Sequence, residues 1–122
     1  MKNDVKNKIA SETAESIYAA YPTLWERFGE RGFEHTEKDN HHHLDHLETA
    51  YSLKDEQVFI DYTIWLETVL TSRNLETALI IDNFERLLQI LPGNTEEEEE
   101  VFMSGCLKSA IAVLKPSQSK GG

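Results

Sequence analysis

An all-α fold follows from two features of the chain. No stretch alternates apolar and polar residues over a strand's length, and the β-branched residues are scattered rather than clustered. Breakers at Pro22, Gly29 and Gly32, Lys54-Asp55, Arg73-Asn74, Pro92-Gly93 and Pro116 cut the chain into six pieces, most carrying apolar residues at helical spacing.

The first piece, Asn3 to Ala20, places Val5, Ile9, Thr13 and Ile17 four residues apart on one side. A short second helix follows Pro22, carries Leu24, Trp25 and Phe28, and stops at Gly29. The third, Phe33 to Ser52, has a core stripe of Phe33, Asn40, Leu44, Leu47 and Tyr51. The fourth starts at a predicted N-cap, Asp55, and aligns Val58, Phe59, Tyr62, Trp65, Leu66, Val69 and Leu70 as a core face. The fifth, Leu75 to Leu91, is apolar over more than half its circumference, and the sixth, Glu96 to Leu114, buries Phe102, Met103, Cys106, Leu107, Ala110, Ile111 and Leu114. At its start Thr95 and Glu98 have the spacing of a capping box, and "TEEEEE" complements the positive end of the helix dipole. Six helices of unequal length joined by short links predict one irregular, globin-like bundle over residues 1–115, packed around Trp65, Phe84 and Phe102. A flexible polar tail, residues 116–122, follows it.

The 122 residues are the length of one domain, enough to bury a core without disulfides. Cys106 is the single cysteine, and the chain opens with no basic segment leading into an apolar one, so the cytoplasm is the expected compartment. No apolar run approaches the roughly 20 residues that span a bilayer. With 22 acidic residues against 12 Lys plus Arg, the net charge of −10 repels phosphate backbones and anionic headgroups, which disfavours nucleic acid and membrane surfaces as partners.

The functional question concentrates in "DNHHHLDHLETA", residues 39–50, which with His35 upstream holds all five histidines. At 100° per residue, Thr36, Asp39 and His43 flank the core stripe at the rim, Asp39 and His43 being one turn apart, while His35, His42 and His46 fall on the polar side. His42 and His46 have the spacing of a two-histidine metal site, yet no other helix supplies a histidine to complete one. Asp39 and His43 have two members of a catalytic triad without its nucleophile, and GXSXG, P-loop, GXGXXG and HEXXH motifs are all missing. No enzymatic activity and no metal centre are therefore expected. A ligand pocket, a pH switch and a solvated helix face remain open.

From Thr36 to Leu91 the chain resembles the chromophore-bearing half of phycobiliproteins. Lys38-Asp39 stands at their Arg-Asp, Leu44 at their Leu, Asp45-His46 at their Arg-Tyr, Ala50 at their alanine, and Lys54-Asp55 at the Gly-Asp of their linker. "FGERG" followed by "DNHHHLDHL" also resembles a helical domain of cobalamin-binding bacterial regulators. The resemblance implies a phycobilisome-like domain whose Asp39 meets pyrrole nitrogens. Thr36 stands where those proteins carry the bilin-attaching cysteine, which excludes a thioether there. Heme held as in globins is disfavoured because no histidine follows His46.

The expectation is thus a non-enzymatic sensor or regulatory module that binds a tetrapyrrole, a bilin or a related one, non-covalently through Thr36, Asp39 and His43. Its alternatives are a ligand-free protein-interaction domain and a His-based metal binder. The outward Ile60 and Ile64, with the wide apolar arc of residues 75–91, predict a homodimer.

Overall fold

The computed structural model describes residues 1–115, and the expected tail at 116–122 lies outside the described residues. All regular structure among them is helical: α1 (Asn3–Ala20), α2 (Thr23–Leu53), α3 (Glu56–Thr71), α4 (Thr77–Ile90) and α5 (Glu97–Leu114). There are five helices rather than six, because the two pieces expected on either side of Gly29 form one element, α2, bent there. Gly29 has φ 64° and ψ −161°, a conformation essentially reserved to glycine, so the break read from the sequence is a kink rather than a loop. One turn on, Gly32 brings the Tyr18 hydroxyl of α1 so close to α2 that a Cβ there would collide with it. The kink folds Trp25 back onto Phe33, the rings stacked at 5.4 Å and 9°, with Tyr18 edge-on to both. Ile17, Leu24 and Leu79 pack with these rings as a satellite cluster separate from the main core.

Helix α1 lies along α2, and α3 packs on α5 and α2, while α4 fills the space between α1 and α5. The main core joins Ile9, Leu44, Leu47, Phe59, Tyr62, Leu66, Phe84, Leu87, Met103 and Leu107. Phe84 is fully buried as expected, but Trp65 is 58% exposed and Phe102 only half-buried, so the expected centre of the core is corrected to Phe59 and Phe84. Trp65 lies at the edge of the α3 stripe, where no other helix covers it. Helix α4 uses most of its wide arc within the chain: Ile80, Phe84 and Leu87 are buried, and Ile81, Leu88 and Ile90 pack against the core. Ile60 is half-buried in the same way, and Ile64 is 51% exposed.

Helix ends follow local chemistry. Asp55 is the N-cap of α3, its Oδ1 accepting from the Gln57 N–H at 3.0 Å. Lys54 before it adopts the left-handed conformation at φ 52°. The expected capping box is not formed: α5 begins at Glu97 with Glu96 as N-cap, and the Thr95 hydroxyl has no partner. Gly93, at φ 86°, turns the chain after α4. None of the described helices is long and apolar enough to cross a membrane.

Candidate functional site

The middle of α2 faces α3 and the loop to α4 across three adjoining cavities. The smallest, about 50 Å³, is lined by Thr36, Asp39, His43 and Asn83 among apolar side chains from α1 and α4. The second, about 300 Å³, runs between α2 and α3 past His35, Lys38, His42, His46, Tyr62, Trp65 and Arg73. The third, about 220 Å³, opens beside Tyr18, Phe28, Thr36 and Arg73. Asp39 and Leu70 wall all three. The residues placed at the rim of the α2 stripe by periodicity, Thr36, Asp39 and His43, therefore line one cavity.

Their mutual contacts differ from the expectation. His43 is paired not with Asp39 but with Tyr62 of α3, whose hydroxyl lies 2.6 Å from Nδ1. The ring is 2% exposed and edge-on to Phe84 at 5.2 Å. Burial lowers the His43 pKa to about 3, with the charges of His42 and His46 adding to the effect, and burial likewise raises the pKa of Tyr62. Burial rather than a neighbouring carboxylate sets the direction of the shift, and His43 is neutral at physiological pH.

Asp39 is half-buried, and desolvation raises its pKa. Among the described residues no hydrogen bond stabilises its charge; His42, Arg73, His35 and Lys38 oppose the shift through their charges. Thr36 is spoken for, its hydroxyl donating to the Gly32 carbonyl at 2.9 Å. Below the cavity Asn40 and Asn83 exchange two amide hydrogen bonds, at 3.0 and 2.7 Å, so this buried pair is satisfied without solvent.

His35, His42 and His46 are not equivalent to one another. His35 and His42 are exposed, whereas His46, also expected on the outer surface, is half-buried and stacks on Tyr62 at 3.8 Å between centroids. All three line the 300 Å³ cavity. Among the described residues no three His, Cys, Asp or Glu side chains converge as a metal set. Tyr62, Trp65 and Arg73 are the site residues missed in the sequence. They lie on or just after α3, where apolar periodicity marks Tyr62 and Trp65 only as core and Arg73 only as a helix end.

No protein-family model matches the chain, and neither a curated protein nor a solved structure shows significant similarity to it.

Proposed function

We propose that the protein is a non-enzymatic, phycobilisome-like sensor or regulatory module of globin-like kinship that binds a tetrapyrrole non-covalently between α2 and α3. The observation that carries this reading is the Asp39 carboxylate, half-buried at the junction of the three cavities and without a hydrogen-bond partner among the described residues. A partly desolvated carboxylate gains from a ligand that donates a hydrogen bond to it. Ring N–H groups are such donors. The 300 Å³ cavity is at the lower end of the usual size for small-molecule sites. Tyr62, His46 and Trp65 give it flat aromatic walls suited to a conjugated ring system.

Charge supports the same reading. In a chain of net charge −10, this cavity is lined by Lys38, Arg73 and three histidines against one acid, Asp39. Such a local reversal suits a ligand that carries carboxylates. A bound tetrapyrrole would supply the chromophore of the sensor; the chain's own residues hold it, Asp39 by accepting hydrogen bonds and Arg73 and Lys38 by meeting its acidic arms.

Titration of the purified protein with biliverdin and with protoporphyrin IX, followed by visible circular dichroism, tests the reading. An induced signal that saturates and is weakened at least tenfold in affinity by Asp39→Ala is expected. No induced signal with either compound would refute it.

The alternative of a ligand-free protein-interaction domain is favoured by one observation, which also bears on the expected homodimer: Ile64 and Trp65 are adjacent in α3 and both more than half exposed. A homodimer through this face, with Ile60 at its edge and the α4 side of the molecule contributing little, predicts that Ile64→Glu lowers the sedimentation mass. A monomer at millimolar concentration would exclude it.

A further inference from the structure

At the end of α2 the chain holds one of its own cations on an aromatic surface. The Lys54 ammonium lies 3.4 Å from the centroid of the Tyr51 ring and 5.8 Å from that of Phe102, the two rings standing edge to face at 5.8 Å. Glu98 is 3.8 Å from the same ammonium, and Glu97 beside it has no ion-pair partner among the described residues. These side chains, with Val101, line a hollow of about 510 Å³ that shares no residue with the three cavities around the middle of α2. The start of α5 is the positive end of its dipole and by itself disfavours a cation there. Glu97, Glu98, Glu99 and Glu100 in its first turn reverse that sign.

Lys54 fills this seat weakly. Its side chain and that of Glu98 are exposed, so water screens the attraction between them. Its backbone is tied as the C-cap of α2, the N–H donating to the carbonyls of Ala50 and Tyr51, so rotation of the side chain alone vacates the rings. Apolar surface stays uncovered with Lys54 in place: Val101 on the wall is 67% exposed, and Leu53 next to Lys54 is 63% exposed. Tyr51 also walls a second hollow of about 830 Å³, which carries Glu96 and Glu99. The two hollows together are far larger than one alkylammonium group needs and fit a stretch of polypeptide. A cation seat among glutamates, beside exposed valine and leucine side chains, is complementary to a lysine with an apolar residue next to it.

We propose that this surface docks a basic segment of another protein, one of whose lysines replaces Lys54 over the Tyr51 and Phe102 rings while an apolar neighbour of that lysine covers Val101. Lys54 is then a built-in competitor that the partner displaces, and the glutamates draw the segment in before it docks. The proposal goes beyond the tetrapyrrole reading and does not depend on it, since the two places share no side chain.

Titration of the isotope-labelled protein with a capped Gly-Leu-Lys-Lys-Leu-Gly peptide tests it, followed on the Val101 methyl signals, which are identified by their loss in Val101→Ile. A saturable shift is expected, with an affinity about two- to fivefold tighter in Lys54→Gly, the range that an exposed cation–π contact supplies. Lys108→Gln, which removes the same charge elsewhere on α5, should leave the affinity unchanged, and Glu98→Gln should weaken it. Adding Phe102→Leu to Lys54→Gly should cancel the gain. No shift in either the parent chain or Lys54→Gly, or equal affinities in the two, overturns the proposal. So does a gain that survives Phe102→Leu, because charge attraction alone then accounts for the binding. Tetramethylammonium that binds as tightly as the peptide also overturns it, in favour of a small free cation.

Discussion

His43→Ala, compared with His42→Ala, puts the greatest weight on the structure, because the two neighbours in sequence differ so much in environment. His43 is 2% exposed, packed edge-on against Phe84 and bonded to Tyr62. Truncation to alanine removes a ring from a close-packed core, a change that costs about 2–5 kcal/mol for aliphatic side chains of similar size. It also strands the Tyr62 hydroxyl, with a penalty of about 1–3 kcal/mol if water cannot reach it. Tyr62 lines the 300 Å³ cavity, so water entering there recovers part of that penalty. The sum expected is about 3 kcal/mol. His42 is exposed and makes no side-chain hydrogen bond among the described residues, so its truncation is expected to cost less than about 0.5 kcal/mol. His46→Ala falls between them, at about 0.5–1.5 kcal/mol, for the loss of its stack on Tyr62. Equilibrium urea unfolding followed by far-ultraviolet circular dichroism measures all three. With a slope of about 1–3 kcal/mol per molar, the His43→Ala midpoint drops by at least about 1 M. Equal midpoints for the variants at 43 and 42 would refute the placement of His43 in the core.

Two further outcomes follow from other parts of the molecule. His43 is neutral in the fold, with a pKa of about 3 against 6.5 unfolded, so below pH 6.5 the unfolded chain binds one more proton there and stability falls with pH until about 3. That contribution has a slope approaching ~1.4 kcal/mol per pH unit and should vanish in His43→Gln, whereas the raised pKa of Asp39 acts in the opposite sense and should vanish in Asp39→Asn; urea midpoints from pH 4 to 7 read both. At the α2 C-terminus, Lys54→Gly should be more stable than Lys54→Ala by about 1 kcal/mol, because both lose the ammonium over the Tyr51 ring but only glycine is relieved of the left-handed φ of 52°; equal melting temperatures would contradict it.

What the sequence made legible is local. Helix α1 has the bounds expected from its apolar spacing, Asp55 caps α3 as read, and Gly29 interrupts the helix where expected. Thr36, Asp39 and His43 emerged at the rim because a 100° periodicity fixes which side chains share a face. What failed depends on neighbours that are distant in sequence. Trp65 fits the α3 stripe as well as Leu66 does, and only the placement of α2 and α5 decides that one is covered and the other is not. Asp39 looked like the partner of His43 because it is one turn away, but the actual partner is Tyr62, 19 residues further on. Thr95 has a capping-box spacing, yet the chain leaves Gly93 in a turn that starts α5 too late for Thr95 to cap it.

The His43–Tyr62 pair raises a question that stability alone does not answer. A buried hydrogen bond contributes only about 0.5–1.5 kcal/mol net, and replacing both partners by apolar groups of similar shape is often neutral or stabilising. The double variant His43→Leu with Tyr62→Phe is therefore expected to unfold within about 1 kcal/mol of the unsubstituted chain, although His43→Ala alone costs about three times that. Its surroundings favour that result, since Phe84 already packs against the His43 ring and Phe59 against the Tyr62 ring, and both accept an apolar neighbour. If the double variant is that stable, the polar pair is not needed to hold the fold. Its remaining consequence is a polar side chain, His43, on the wall of the small cavity that Asp39 also lines, and the same variant should then weaken the induced tetrapyrrole signal while the bundle stays folded. Should the double variant instead lose 3 kcal/mol or more, the pair belongs to the architecture of the core, and the polarity of the cavity wall is a by-product of packing.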